Sequence, residues 1–181
     1  GLLSYHPTQT ASWADFNKDG FLDLFIGNES EGGAHPCELF KNNGNGTFTE
    51  VASQHGLGNI VRFVKGVVWG DINNDNWPDL YITDVRGNNL LYKNNKGQFE
   101  DISKTAGITA PFHSFVTWFF DVNNDGFQDI FVCGYDLTDL HSLASDFASE
   151  LQGREVRTDK PHLYINNGDE TFTDRTEAYG L

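Results

Sequence analysis

The sequence is poor in positive charge, nearly free of cysteine, and without a long apolar run. Twelve Lys and Arg stand against 26 Asp and Glu, a formal net charge of −14. Nucleic acid and anionic membrane both require a basic patch, so neither is an expected partner. No apolar stretch approaches the roughly 20 residues that span a bilayer. No basic segment leads into an apolar one, so no signal peptide is expected within this stretch. Cys37 and Cys133 are the only cysteines and sit at unrelated positions. Separate buried thiols, or partners outside this stretch, are expected rather than a disulfide. There is no Gly-x-Ser-x-Gly elbow and no phosphate loop. His6, His35, His55, His113, His141 and His162 show no paired metal-ligand spacing, so no zinc site is expected.

What is present is turn chemistry and aromatic residues. Hydrophobic content is 38%, aromatic 14% and charged 21%, which is globular rather than disordered. Nineteen Gly, with many Asn-Gly, Asp-Gly and Asn-Asn pairs, point to tight turns and an all-β chain.

One stretch organises the rest. Asp15-Phe16-Asn17-Lys18-Asp19-Gly20-Phe21-Leu22-Asp23 returns as Asp71-Ile72-Asn73-Asn74-Asp75-Asn76-Trp77-Pro78-Asp79, and again as Asp121-Val122-Asn123-Asn124-Asp125-Gly126-Phe127-Gln128-Asp129. Each copy sets acidic or amide oxygens at positions 1, 3, 5 and 9, with Gly or Asn at position 6, where positive φ is expected. A hard cation wanting six or more oxygens is the natural occupant, and calcium suits it better than magnesium. The side-chain ligands expected are Asp15, Asn17, Asp19 and Asp23, then Asp71, Asn73, Asp75 and Asp79, then Asp121, Asn123, Asp125 and Asp129. The main-chain carbonyls of Phe21, Trp77 and Phe127 join them, and water completes each shell. An EF-hand is excluded. Its closing Glu at position 12 is here Ile26, Ile82 or Val132, and the flanks have strand rather than helix character. Three Ca2+ ions would bring the formal charge from −14 to −8, so part of the acidity is ligand charge.

Other features fall into register with these loops. Gly1-Leu2, Gly56-Leu57 and Gly107-Ile108 open three units, 1–55, 56–106 and 107–179, and 180–181 reads as the start of another. Each unit yields four strands: 10–14, 64–70 and 115–120 before the loop; 23–26, 79–82 and 129–132 after it; then 38–41, 89–93 and 162–165; then 47–51, 98–102 and 171–174. Trp13, Trp69 and Trp118 recur in the first strand, the last one residue further from its Asp. Runs such as Leu24-Phe25-Ile26 imply second strands buried on both faces. Four antiparallel strands every ~50 residues read as β-propeller blades rather than a sandwich or a β-helix. Metal loops and Asn-Gly hairpins should share one face of the disc. The long insertion 134–161, with a short amphipathic helix expected near 142–152, should project from the other. Three blades do not close a ring, which takes ~4–8. The expectation is a segment of a larger propeller, or blades supplied by neighbouring chains, with end faces such as those of Phe25 and Phe131 otherwise left in water.

The three loops, with Leu39-Phe40-Lys41-Asn42-Asn43-Gly44-Asn45-Gly46-Thr47-Phe48-Thr49 and its counterparts, resemble the FG-GAP/VCBS repeats of integrin-α-type propellers, most closely the cartilage-acidic-protein group. The resemblance covers the chain except 134–161. It implies four-stranded blades, calcium in the strand 1–2 loop, and extracellular, cell-surface or periplasmic adhesion or scaffolding, with a protein or glycan partner on the face opposite the loops. This sequence departs from the pattern at Asn76, usually Gly, and at the shifted Trp118. The reading is a non-enzymatic binding or structural module. Two alternatives stand beside it. One is a building block of an extracellular filament. The other is the scaffold of a carbohydrate-active enzyme, which would need a non-repeated cluster of acidic, His or Tyr groups. Asn28-Glu29-Ser30 and Asn45-Gly46-Thr47 are glycosylation sequons, relevant only in a secretory eukaryote.

Overall fold

The structure is a computed structural model and describes residues 1–30, 32–134, 148, 151–153 and 160–181. The helix expected at 142–152, and most of the insertion that carries it, lies outside the described residues. Among those described, twelve strands form three four-stranded antiparallel sheets. The first runs β1 (Thr8–Ala14), β2 (Asp23–Asn28), β3 (Glu38–Asn42) and β4 (Phe48–Glu50). The second is β5 (Val64–Gly70), β6 (Asp79–Asp84), β7 (Leu90–Asn95) and β8 (Gln98–Asp101). The third is β9 (Ser114–Phe120), β10 (Asp129–Gly134), β11 (His162–Asn166) and β12 (Phe172–Asp174). Each sheet is a meander with strands in sequence order, as in a propeller blade. The first strands β1, β5 and β9 lie side by side.

Strand register assigns every face. Trp13 pairs with Leu24 and Leu24 with Phe40; Trp69, Leu80 and Tyr92 match them in blade 2. Phe119, Ile130 and Tyr164 match them in blade 3. Side chains alternate along a strand, so Trp118 faces away from the column that Trp13 and Trp69 occupy. Its single-residue shift moves it to the opposite face, where it tilts over Phe131 at 4.8 Å, and Phe119 fills the Trp position.

Two layers of apolar side chains bind the three sheets. Phe25 and Leu39 of blade 1 meet Leu80, Ile82, Tyr92 and Trp69 of blade 2. Tyr81 and Leu91 from the other face of blade 2 meet Ile130, Val132, Tyr164 and Phe119 of blade 3. This explains why β6 is buried along its whole length; β2 is equally buried, its far face covered by Phe40 and Phe48 of its own blade. It also corrects the expectation for Phe25, which is fully buried between blades 1 and 2. The open face of blade 1 instead carries Leu24, Ile26, Phe40 and Phe48, with Trp13 half-exposed on the edge of Phe48. Phe131, facing away from blade 2, is part-exposed as the sequence suggested.

Phe25→Ala should therefore cost about 3–5 kcal/mol, the range for emptying a buried aromatic site. Trp13→Ala should cost clearly less. Urea denaturation of both variants checks this; equal losses would mean that the two faces of blade 1 are wrongly assigned.

The connections after the fourth strands share one form. A short helical turn follows the fourth strand of each blade, and Gly56, Gly107 and Gly180 end these turns at φ of 88°, 79° and 76°. A left-handed residue closes such a turn and favours Gly. Leu57 and Ile108 then enter the core fully buried.

Candidate metal loops and their interblade clips

The three loops share one hydrogen-bond pattern. In the first, the Asp19 amide donates to Asp15 Oδ1 at 3.0 Å and to Asn17 Oδ1 at 2.9 Å. The Gly20 amide donates to Asp15 Oδ2 at 2.8 Å, and the Phe21 amide to Asp19 Oδ1 at 3.1 Å. Asp71, Asn73 and Asp75 repeat this with the amides of Asp75, Asn76 and Trp77. Asp121, Asn123 and Asp125 repeat it with those of Asp125, Gly126 and Phe127. Main-chain N–H groups thus draw the oxygens of positions 1, 3 and 5 inward.

The turn needs positive φ twice. Position 6 has it at Gly20, Asn76 and Gly126, with Asn76 at 67°; position 4 has it at Lys18, Asn74 and Asn124, at 56°, 59° and 59°. Asn is the side chain that best tolerates this region, so Asn76 preserves the turn. Position 4 was not anticipated, although two of the three copies place Asn there.

Position 9 differs from the others because it opens a buried strand. Asp23, Asp79 and Asp129 have no solvent exposure. Oδ1 of each accepts from an Asn amide at or next to the end of the third strand: Asn42 N at 2.7 Å, Asn94 N at 2.7 Å and Asn166 N at 2.9 Å. Oδ2 of Asp79 and of Asp129 also accepts a loop amide, from Ile72 and Val122. Asp23 Oδ2 has no partner. Burial, reinforced by the Asp19 and Asp15 carboxylates, pushes Asp23 up to about 6. Burial, with Asp75 and Asp71 beside it, pushes Asp79 to about 7. Burial likewise raises Asp129. In the first loop a buried carboxylate beside two others, with one oxygen left without a hydrogen bond, fits a bound cation. Among the described residues no three His, Cys, Asp or Glu side chains come together as a metal group. An ion here would therefore draw on the Asn oxygens and a main-chain carbonyl as well as on carboxylates.

The Asn at or next to the end of each third strand does more than form a turn. Asn94 Nδ2 donates to Pro78 O of its own loop at 3.0 Å and to Phe16 O of the preceding loop at 2.9 Å. Asn166 Nδ2 donates to Gln128 O at 3.1 Å and to Ile72 O at 2.7 Å. Asn42 reaches only Leu22 O of its own loop. Further stitches join the loops in a row. Lys18 Nζ lies 4.7 Å from the Trp77 ring centre, Asn74 Nδ2 donates to Gly126 O, and Glu170 binds both Lys93 and Asn73. Hairpins and candidate metal loops do share one face: the Gly44 backbone lies against the Phe21 ring and Gly168 against that of Phe127. The opposite face has a cleft of about 540 Å³ lined by Arg62, Asn88, Asp101 and Lys104.

The two sequons differ in access. Asn28 is fully buried, with Nδ2 donating to Pro36 O and Glu38 Oε2, so this nitrogen has no route to a sugar. Asn45 is exposed at the hairpin tip. The structure also brings together two histidines that spacing could not pair: His6 and His35, 29 residues apart, place their Nδ1 atoms at 3.0 Å. Cys37 is buried, Cys133 is half-buried, and both are free thiols. Among the described residues no helix is long and apolar enough to cross a membrane.

Comparison with known proteins agrees with this geometry. The FG-GAP-like repeat family matches residues 15–82 and again 71–132. Cartilage acidic protein 1 of Homo sapiens is 32% identical over 136 residues, 72% of this chain and 20% of that protein. The Mus musculus protein is 31% identical over the same shares. That of Xenopus tropicalis is 30% identical over 114 residues, 60% of this chain and 17% of the relative. The chain thus spans about a fifth of the length of these relatives. Three sheets of one topology, three loops of one hydrogen-bond pattern and these matches place the chain in the FG-GAP-like repeat family.

Proposed function

We propose that the chain is a calcium-clamped, non-catalytic module of an extracellular protein, built to hold a rigid surface for a partner. The observation that carries this is the threefold loop, with its inward-drawn oxygens and fully buried position-9 Asp. Asp15, Asn17, Asp19, Asp23 and the Phe21 carbonyl would hold the first ion. Asp71, Asn73, Asp75, Asp79 and the Trp77 carbonyl would hold the second. Asp121, Asn123, Asp125, Asp129 and the Phe127 carbonyl would hold the third. Bound calcium supplies positive charge that offsets repulsion among these carboxylates. The chain's own residues do the rest: the Asn clips fix the loops to the third strands, and the apolar layers fix blade to blade. Threefold repetition of one acidic constellation suits ligands better than three active sites.

The partner-facing side in this reading is the one opposite the loops, where the cleft beside Arg62 and Lys104 adds basic groups to an otherwise acidic protein. The half-exposed Trp13 and Trp118, and the one-sided clip of Asn42, are the features by which further blades would pack at either end. Isothermal titration with calcium should find three sites. Asp23→Asn, Asp79→Asn and Asp129→Asn should each remove one. Absence of calcium uptake by the unsubstituted protein would overturn the reading.

A further inference from the structure

A second kind of metal seat stands apart from the loops. The Nδ1 atoms of His6 and His35 lie 3.0 Å apart, with ring centres at 5.1 Å and the rings tilted by 52°. At that distance one ring nitrogen donates to the other, and the tautomers of the two rings decide which. Two tetrahedral bonds of about 2.0–2.1 Å to one ion would set the nitrogens about 3.3–3.4 Å apart, a few tenths of an ångström wider.

Both rings are mounted on restrained backbone. Each histidine precedes a proline, Pro7 or Pro36, and a residue before proline is held extended. The main chain is tied on both sides of the pair. Glu29 N donates to Pro7 O at 2.9 Å, and His35 N donates to the Ser30 hydroxyl at 3.1 Å. Buried Asn28 spans the two segments: its Oδ1 accepts from Thr8 at 3.1 Å, while its Nδ2 donates to Pro36 O at 2.7 Å. Glu38, taking the Ser4 hydroxyl and Asn28 Nδ2, adds a second tie. These contacts hold the two rings together although they come from segments 29 residues apart.

We propose that His6 and His35 form a two-nitrogen seat for a borderline divalent transition metal, Zn2+, Ni2+ or Cu2+, with Asn28 as its positioning residue. Imidazole selects these ions over calcium, which takes oxygen. Among the described residues no third His, Cys, Asp or Glu joins them, so water fills the remaining positions and the ion exchanges freely. The seat lies beside the β2–β3 connection, away from the calcium loops, and an ion there would staple the segment before β1 to that connection.

The test is titration with Cu2+ or Zn2+ alone, in excess calcium so that oxygen sites are filled. One saturable site is expected, and Cu2+ should show two nitrogen couplings in its paramagnetic resonance spectrum. His6→Gln and His35→Gln should each weaken binding by more than about tenfold, and Asn28→Ala by about 10–100-fold, as lost supporting shells do. Both histidines are half-buried at the surface, so their variants should fold; unchanged calcium-loaded melting curves check that. The proposal is overturned by no saturable uptake, by a spectrum without two nitrogens, or by equal affinity in the histidine variants. Calcium uptake by the loops is read separately, so either result leaves the other standing.

Discussion

Removing calcium with a chelator should lower the melting temperature by about 15–30 °C. A ligand at 100 times its dissociation constant adds about 2.7 kcal/mol per site. Each kcal/mol moves the melting point of a chain this size by about 2–4 °C, and three sites give the range stated. The physical source is the position-9 Asp. Without an ion, three carboxylates compete in a loop whose innermost member has no access to water. With one, the same oxygens become ligands. Loops 1 and 2 are each tied to the next blade through Asn94 and Asn166. Their loss should therefore loosen blade packing, not only the loop tips. Differential scanning calorimetry with calcium, and with excess chelator, checks the figure; a change of only a degree or two would refute a clamping role.

Asn94→Ala should be a severe substitution outside the loops, at about 2–6 kcal/mol for its two fully buried partners. Asn94 is fully buried. Its side chain serves three main-chain groups: Phe16 O, Pro78 O and the amide of Gly97, the last at 2.7 Å. Each buried group left without a partner costs about 1–3 kcal/mol. Asn42→Ala is the internal control. Its equivalent bonds, to Leu22 O and from Gly44 N, are exposed to solvent, so water replaces them. A loss below about 1 kcal/mol is expected there. Chemical denaturation in saturating calcium measures both. Similar small losses in the two variants would show that the interblade clip adds nothing.

The architecture was legible because it repeats. Three in-register loops, a hairpin rich in Asn and Gly, and apolar triplets such as Leu80-Tyr81-Ile82 specify sheet, order and face together, and strand limits agree to within a few residues. What escaped the sequence were properties that belong to two segments at once. Asn94 and Asn166 read as turn formers, and nothing local reveals that they grip the preceding loop. Their one visible signal is recurrence at the end of each third strand. Trp118 looked like a misaligned column member; period-two alternation already implied that one residue of shift reverses its face. Phe25 was expected at an open end because nothing in a strand run tells which of two apolar faces meets the next blade. His6 and His35 meet through folding alone.

The clip also sets an order of events during synthesis. Phe16 O in the first loop receives its hydrogen bond from β7, and Ile72 O in the second receives its own from β11. Each of these two loops is therefore finished by a strand that leaves the ribosome one blade later. Hydrogen bonding of the first loop thus waits on β7, and that of the second on β11.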